Sequence, residues 1–343
     1  MAKRPERPKM GHATAQTVKN KALYAEFLTC FEGTGNSDLR SPCEGFISVT
    51  APINASHPVN LTAGGAGYAR DVLEPIQNAL KGLRRQDYVL IGGTYQGAEW
   101  VTSTGYYSGH FAEPLFGIPP SGKLAFLRFG EYHKMEGGRI VESYIFLGLA
   151  ELITAIGLWP LKQSQGYEGT VPGPASNDGI QLHANDPETS QANGDFVEAM
   201  LLELTSEDQA WKPYWHDNMV WYGPGGLGSY ATLEGFEAFQ VPFENTFEGW
   251  GDGQNEGISG VGSQCKSGDG DYVFLSGWPQ ITGVHTGNFL GIEPTGNRVF
   301  MRDCDWWRIE DGKIIENWCM LDILHVALQL GRDVIAEIAP EKA

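Results

Sequence analysis

The sequence predicts an α+β protein built from two tandem copies of one domain, and three observations carry that expectation. DWWRIEDGKIIENW (305–318) repeats the grammar of EYHKMEGGRIVESY (131–144) at an offset of 174 positions. FGIPPSG (116–122) faces LGIEPTG (290–296) at the same offset, and STGYYSGHF (103–111) faces ITGVHTGNF (281–289), with four extra residues, Ala112 to Leu115, between the two registers. In each copy helical spacing comes first and strand-like alternation afterwards, the order expected of helices packed on an antiparallel sheet.

The elements follow in chain order. MAKRPERPK lacks the apolar stretch and small-residue cleavage site of a secretory leader, so residues 1–17 read as a flexible tail and the protein as cytoplasmic. VKNKALYAEFLTCF (18–31) opens a first domain, 18–165, and GDFVEAMLLELTS (194–206) opens a second, 191–343; shorter helices follow around Tyr68 to Lys81 and Leu233 to Phe247. Residues 166–190 include GYEGTVPGPASNDGIQLHANDPE, rich in Gly, Pro, Asn and Asp without periodicity, which marks a linker. Near the end of the second copy Met301, Asp303, Asp305, Trp307 and Ile309 alternate onto one face of a strand. Asp311-Gly312, matched by Gly137-Gly138, is a two-residue hairpin turn. LDILHVALQLG then switches to helical spacing, with Asp322 placed to cap it and Gly331 to stop it.

Composition narrows the function classes. A chain of 343 residues with 41% hydrophobic and 19% charged residues reads as globular, and it has no apolar run long enough to span a bilayer. A formal charge of −18 argues against nucleic acid as a partner, because that affinity rests on Lys and Arg displacing counterions. Five cysteines at irregular spacing suggest neither a disulfide framework nor a metal site, and the eight histidines include no HxH or HExxH pair, so no metal is expected. Gly223-Pro-Gly-Gly-Leu-Gly228 satisfies a dinucleotide fingerprint, but no βαβ alternation follows, so no nucleotide cofactor is expected. That loop and GGAG (64–67) are expected to be mobile lips over a pocket mouth.

Several residues are candidates for chemistry. Asp305, matched by Glu131, is an acid among apolar neighbours, where a raised pKa suits proton transfer; the alternative is a structural pair with an arginine such as Arg302 or Arg298. His285, aligned with Tyr107, is a possible proton shuttle, and His57 and His133, the latter beside Glu131, are the first copy's candidates. Ten Trp and thirteen Tyr suit the binding of a planar aromatic ligand, with Trp221, Tyr222, Trp278, Trp307 and Trp318 as candidate contacts together with Glu131 and His133; a tandem protein also needs such residues for its core and for the contact between halves.

The order Gly283, Gly287, Leu290 to Gly296, Asp305, Arg308, Asp311 to Ile314, Glu316, Trp318, Asp322 and Gln329 to Gly331 resembles the SnoaL-like polyketide cyclases of the nuclear transport factor 2-like superfamily. The resemblance covers the last third of each half well and the helical parts in outline. It implies two conical domains, each a curved antiparallel sheet wrapped around helices over a deep apolar pocket, and it implies enzymes that move protons without metal or organic cofactor. By position, the aspartate that serves the cyclases as acid and base maps onto Asp322, whose first-copy counterpart is Gly148; Asp322 can equally serve only as a helix cap. The expected activity is a cofactor-independent acid/base lyase, isomerase or cyclase, making or breaking a C–C bond or eliminating water in a hydrophobic oxygenated aromatic small molecule. A formaldehyde-releasing lyase of lignin-derived diarylpropanes and a non-catalytic binding protein for an apolar ligand are the alternatives. A further homodimer is an open possibility.

Overall fold

The computed structural model describes residues 9–32, 38–204, 208–252 and 261–339. Among them the first half holds β1 (Gly11–His12), α1 (Ala15–Leu28), α2 (Arg40–Phe46), β2 (Pro52–Ala55), β3 (Asn60–Ala63), α3 (Gly64–Tyr68), α4 (Glu74–Ala79), β4 (Leu80–Tyr95), β5 (Ala98–Phe111), β6 (Leu124–Glu136), β7 (Arg139–Leu147) and α5 (Leu149–Ala155). The second half holds α6 (Pro187–Glu203), β8 (Trp215–Tyr222), β9 (Tyr230–Ala231), α7 (Leu233–Glu244), β10 (Phe247–Asp252), β11 (Ser263–Asp269), β12 (Tyr272–His285), β13 (Arg298–Glu310), β14 (Lys313–Leu321), α8 (Ile323–Gln329) and α9 (Val334–Ile338). None of the described helices is long and apolar enough to cross a membrane.

The strands form two sheets, β3-β2-β7-β6-β5-β4 and β1-β11-β12-β13-β14-β8-β9, with β10 also paired to β12. Apart from β1, the second order repeats the first, with β10 and β11 together standing where the long β4 stands. The hairpin turns form where Asp-Gly and Gly-Gly predict them: Asp311 and Gly312 have φ of 50° and 72°, Gly137 and Gly138 of 57° and 77°, the left-handed pair that matches strand twist. Thr14 starts α1 by accepting from the Gln16 and Thr17 amides, and Asp186 starts α6 by accepting from Thr189. Both helices begin earlier than periodicity alone predicts.

Three expectations need correction. Residues 11–17, expected in the flexible tail, are built into the fold: β1 pairs in parallel with Ser267 and Gly268 of β11, so the start of the chain joins the second sheet. Residues 166–186 connect the halves without helix or extended strand, as a linker does, but the connector is tied down and ends before 190. Ile180 bridges to Leu90, the Val171 amide donates to Tyr106, and α6 has begun by Pro187. The two glycine-rich stretches are not lips. Gly64–Gly67 sit in α3, where a Cβ on Gly65 would lie 2.1 Å from the Cys43 carbonyl oxygen, and residues 223–228 are buried against the first half, Gly225 on Glu151 and Gly226 on Trp159. Glycine serves close approach there.

The two sheets pack on each other through one face each. Tyr132 of β6 stacks on Trp306 of β13 at 4.9 Å, the Trp306 Nε1 donates to Thr102 at 3.1 Å, and the Tyr132 hydroxyl donates to the Asp305 carbonyl at 3.0 Å. At the edge of this contact Lys21 of α1 reaches Asp269 of β11 at 2.6 Å with both side chains fully buried; the Gly92 amide and Asn185 satisfy the rest of that carboxylate. The opposite face of each sheet turns toward its own helices.

Candidate active site

The inner face of the second sheet, with α6 and α7, encloses a cavity of about 1020 Å³ with its mouth included. The strand register builds its floor. Asp305 stands between Leu275 and Cys319, and Asn317 between Trp307 and Trp221, all on neighbouring strands. Period-two alternation therefore sends Trp221, Asp303, Asp305, Trp307, Asn317 and Cys319 to one face. The wall is a column of rings: Trp221 stacks on Phe239 at 4.9 Å, Phe239 on Phe243 at 5.4 Å, and Phe243 meets Trp250 edge-on at 4.9 Å.

Asp305 is the carboxyl the cavity perturbs most clearly. Burial pushes its pKa up to about 6, opposed only partly by hydrogen bonds from Asn317 and Cys319. The Asn317 side chain fixes it, donating to Asp305 Oδ1 at 2.9 Å and to the Trp306 carbonyl at 3.1 Å. No lysine or arginine forms an ion pair with Asp305 among the described residues; the expected partner Arg302 pairs with Asp322, and Arg298 donates to Thr282. Asp303, one step along the same strand face, brings a second carboxyl into the cavity. Alternation places Asp303 on this face in the sequence as well, although its first-copy counterpart, Phe129, carries no charge. The cation that lines the cavity, Lys266, is held by Glu198 at 2.6 Å.

The first copy has the same backbone and a filled interior. Glu131 lies across from Ile145 as Asp305 lies across from Cys319, the same register position. Around it Tyr24 and Tyr68 donate at 2.6 and 2.7 Å, Arg85 at 2.8 Å, and His133 stands at 3.5 Å. Burial would raise the Glu131 pKa, but the Arg85 charge with the His133 and Arg85 hydrogen bonds overcomes it and holds the carboxyl well below the ordinary range. His133 is further tied to Ser143 at 2.8 Å. Glu131 and His133 thus belong to a polar plug.

Several of the candidate residues lie apart from the cavity. Asp322 lies outside the cavity. It caps α8 through the His325 amide, pairs with Arg302 at 3.1 Å and accepts from the His57 amide of the first half at 2.9 Å. His57 lines the same small crevice between the halves as Asp322 and Gly148. His285 is buried, with Nδ1 accepting from the Thr295 amide at 3.2 Å, which leaves the proton on an Nε2 without a partner; burial lowers its pKa, and it does not line the cavity. Its counterpart is Phe111 rather than Tyr107: Phe111 exchanges hydrogen bonds with Lys123 and Gly122 as His285 does with Asn297 and Gly296. Of the aromatic candidates, Trp221 and Trp307 line the cavity. Tyr222 and Trp318 stack on each other at 5.3 Å on the other face, and Trp278 packs on Tyr144 and under Arg302, all between the halves. The sheet is aromatic on both faces, so residue type did not reveal which face was the pocket.

Among the described residues no group of three or more His, Cys, Asp or Glu is arranged to hold a metal ion. A comparison with curated proteins gives no match. Solved structures similar to this chain include AclR of Streptomyces galilaeus (19% identity, 41% of this chain, 96% of that one, TM-score 0.34) and IdmH of Streptomyces antibioticus (21%, 41%, 99%, 0.34). A SnoaL-like structure from Jannaschia sp. gives 18%, 46%, 99% and 0.37. Each is covered almost entirely by less than half of this chain. The half that carries the open cavity, over residues 204–330, matches the family model of the SnoaL-like polyketide cyclases.

Proposed function

We propose that the second half is an acid/base enzyme, independent of a cofactor, that acts on a hydrophobic oxygenated aromatic molecule, with Asp305 as the proton-transferring group and Asp303 beside it. The carrying observation is the contrast at one register position: Asp305 is a half-buried carboxyl without an ion pair among the described residues, its pKa about 6, in a ring-walled cavity, whereas Glu131 is fully buried and locked by Arg85. A carboxyl so placed changes protonation close to working pH, which is what removing a proton next to a carbonyl or phenol, and returning it, requires. Trp221 and Trp307 offer faces for a planar ring. Two buried polar atoms lining the cavity, Trp215 Nε1 and Gln280 Oε1, have no partner, which favours a ligand that carries oxygen. The match to the cyclase family over these residues supports the same reading.

In this reading the first half is a fixed partner, which its plugged interior favours. Aldol closure and its reverse need the same proton transfers, so the reaction's direction is a matter for the test. Purified protein is incubated with aromatic polyketide esters and with lignin-type diaryl diols, beside Asp305→Asn, and products are followed by chromatography with mass detection. A product of unchanged mass means cyclisation or isomerisation; loss of water means elimination; loss of formaldehyde means C–C cleavage. Turnover in Asp305→Asn equal to that of the parent refutes the role of Asp305, and a retained but unaltered ligand makes the protein a binding module.

A further inference from the structure

The second copy differs from the first by a local insertion at the pocket. From Gly105 to Tyr107, β5 advances two residues while β6 goes from Phe129 to Leu127, without a shift of register. From Gly277 to Ile281, β12 advances four while β13 goes from Asp303 to Met301, also two. Two extra residues therefore bulge out of β12 opposite Arg302, between the Gly277–Asp303 and Ile281–Met301 pairs, and a bulge of this kind re-aims a side chain.

The re-aimed side chain is Gln280, which lines the cavity and is 5% exposed. It folds back over Gly277: a Cβ on that glycine would lie 2.1 Å from Gln280 Cβ and 2.8 Å from its Oε1, so no larger residue fits beneath it. At the first copy's Gly105 the same space is taken by backbone, the Gln86 carbonyl oxygen lying 1.9 Å from a Cβ. Gln280 Oε1 nonetheless has no hydrogen-bond donor. Folded proteins rarely keep a buried amide oxygen unpaired, and here the amide is held beside an acid-bearing strand in the ring-walled cavity.

We propose that Gln280 is a specificity-determining residue of this pocket, its amide oxygen accepting a hydrogen bond from a hydroxyl on the aromatic ligand and so holding that ring against Asp303 and Asp305. The proposal rests on the reading of this cavity as a ligand site. A donor is required because the amide oxygen can only accept, and the neighbouring carboxylates, when ionised, repel a ligand that brings only acceptors or negative charge.

The test is calorimetric binding of 2-naphthol and of naphthalene to the full chain and to Gln280→Met, with Gln280→Leu carried in parallel so that a folding defect in one variant leaves the comparison standing. The parent is expected to hold 2-naphthol about tenfold more tightly than naphthalene, the gain that one net hydrogen bond gives. Both variants are expected to lose that preference while binding naphthalene as before. A preference that persists in folded variants overturns the role of Gln280, and equal affinity of the parent for both compounds overturns the hydroxyl. Failure of both compounds to bind overturns the ligand-site reading itself, and this proposal with it.

Discussion

Tyr132 and Trp306 occupy the same register position in the two copies and stack on each other, ring centroids 4.9 Å apart. Residues meet their own counterparts only near a two-fold axis. The neighbours keep that symmetry. Tyr132 pairs across its sheet with Thr102, and Trp306 with Phe274; Trp306 then donates to Thr102, while Tyr132 packs on Phe274 at 6.1 Å. The halves are therefore joined as an isologous pair inside one chain.

Trp306→Ala removes that stack and the bond to Thr102 from a fully buried site. A loss of about 3–5 kcal/mol is expected in urea unfolding, by the usual cost of truncating a large core ring. Gly130→Val should also be destabilising, because a Cβ there would lie 2.6 Å from the Trp306 ring.

Asp305→Asn should abolish turnover while leaving ligand affinity within a few-fold of the parent. Its raised pKa also has a stability sign. Between the unfolded value near ~3.9 and the folded value of about 6, the native state binds the extra proton, so the contribution is full at low pH and is lost as pH rises through about 6. At pH 7 the asparagine variant should thus be the more stable, by on the order of 2 kcal/mol, with the gap closing by pH 4 in thermal melts. In the parent, activity with Asp305 as base should rise with pH across about 6.

Glu131→Gln should do the opposite. The depressed pKa of Glu131 adds stability that is present above the unfolded carboxyl range and disappears as pH falls through the folded value. The variant leaves Arg85 buried with Asp87 as its remaining carboxylate, so a loss of about 3 kcal/mol at pH 7 is expected in urea unfolding, with kcat of the folded protein unchanged.

Asp322→Ala separates the two possible roles of that residue. It removes the cap on α8, the Arg302 pair and the acceptor for the His57 amide, and should cost roughly 2–4 kcal/mol. Turnover per folded molecule should persist; its complete loss in a protein of normal melting temperature would return Asp322 to the chemistry.

Much of the fold was legible in the sequence because local rules and global architecture agree. Asp311-Gly312 names its turn, and Met301 to Ile309 name a strand face. The site was legible only in part. Asp305, Trp221 and Trp307 follow from alternation, but Tyr222, Trp318 and Trp278 obey the same rule on the face that the other half covers, and composition does not distinguish a ligand from a second sheet. Gln280 was hidden by the two-residue bulge, which changes the pairing without leaving a periodic trace. His285 was aligned with Tyr107 by the likeness of STGYYSGHF to ITGVHTGNF, whereas the strand pairing puts it with Phe111, at the offset of 174 that the rest of the repeat keeps. Asp322 was ambiguous for a different reason: the groups that employ it, Arg302 and the His57 amide, meet it only in three dimensions.

The peptide link between the halves has a consequence for dilution. Two separate cones facing each other across Tyr132 and Trp306 would part as concentration fell, whereas a tethered pair meets at an effective concentration set by the connecting segment, in the millimolar range for a short one. That segment is also pinned along its course, at Leu90 through Ile180 and at Trp318 through Pro172. The ring-walled cavity therefore keeps its supporting half at any protein concentration, and the supporting half is free to fill its own interior with tyrosines and an arginine.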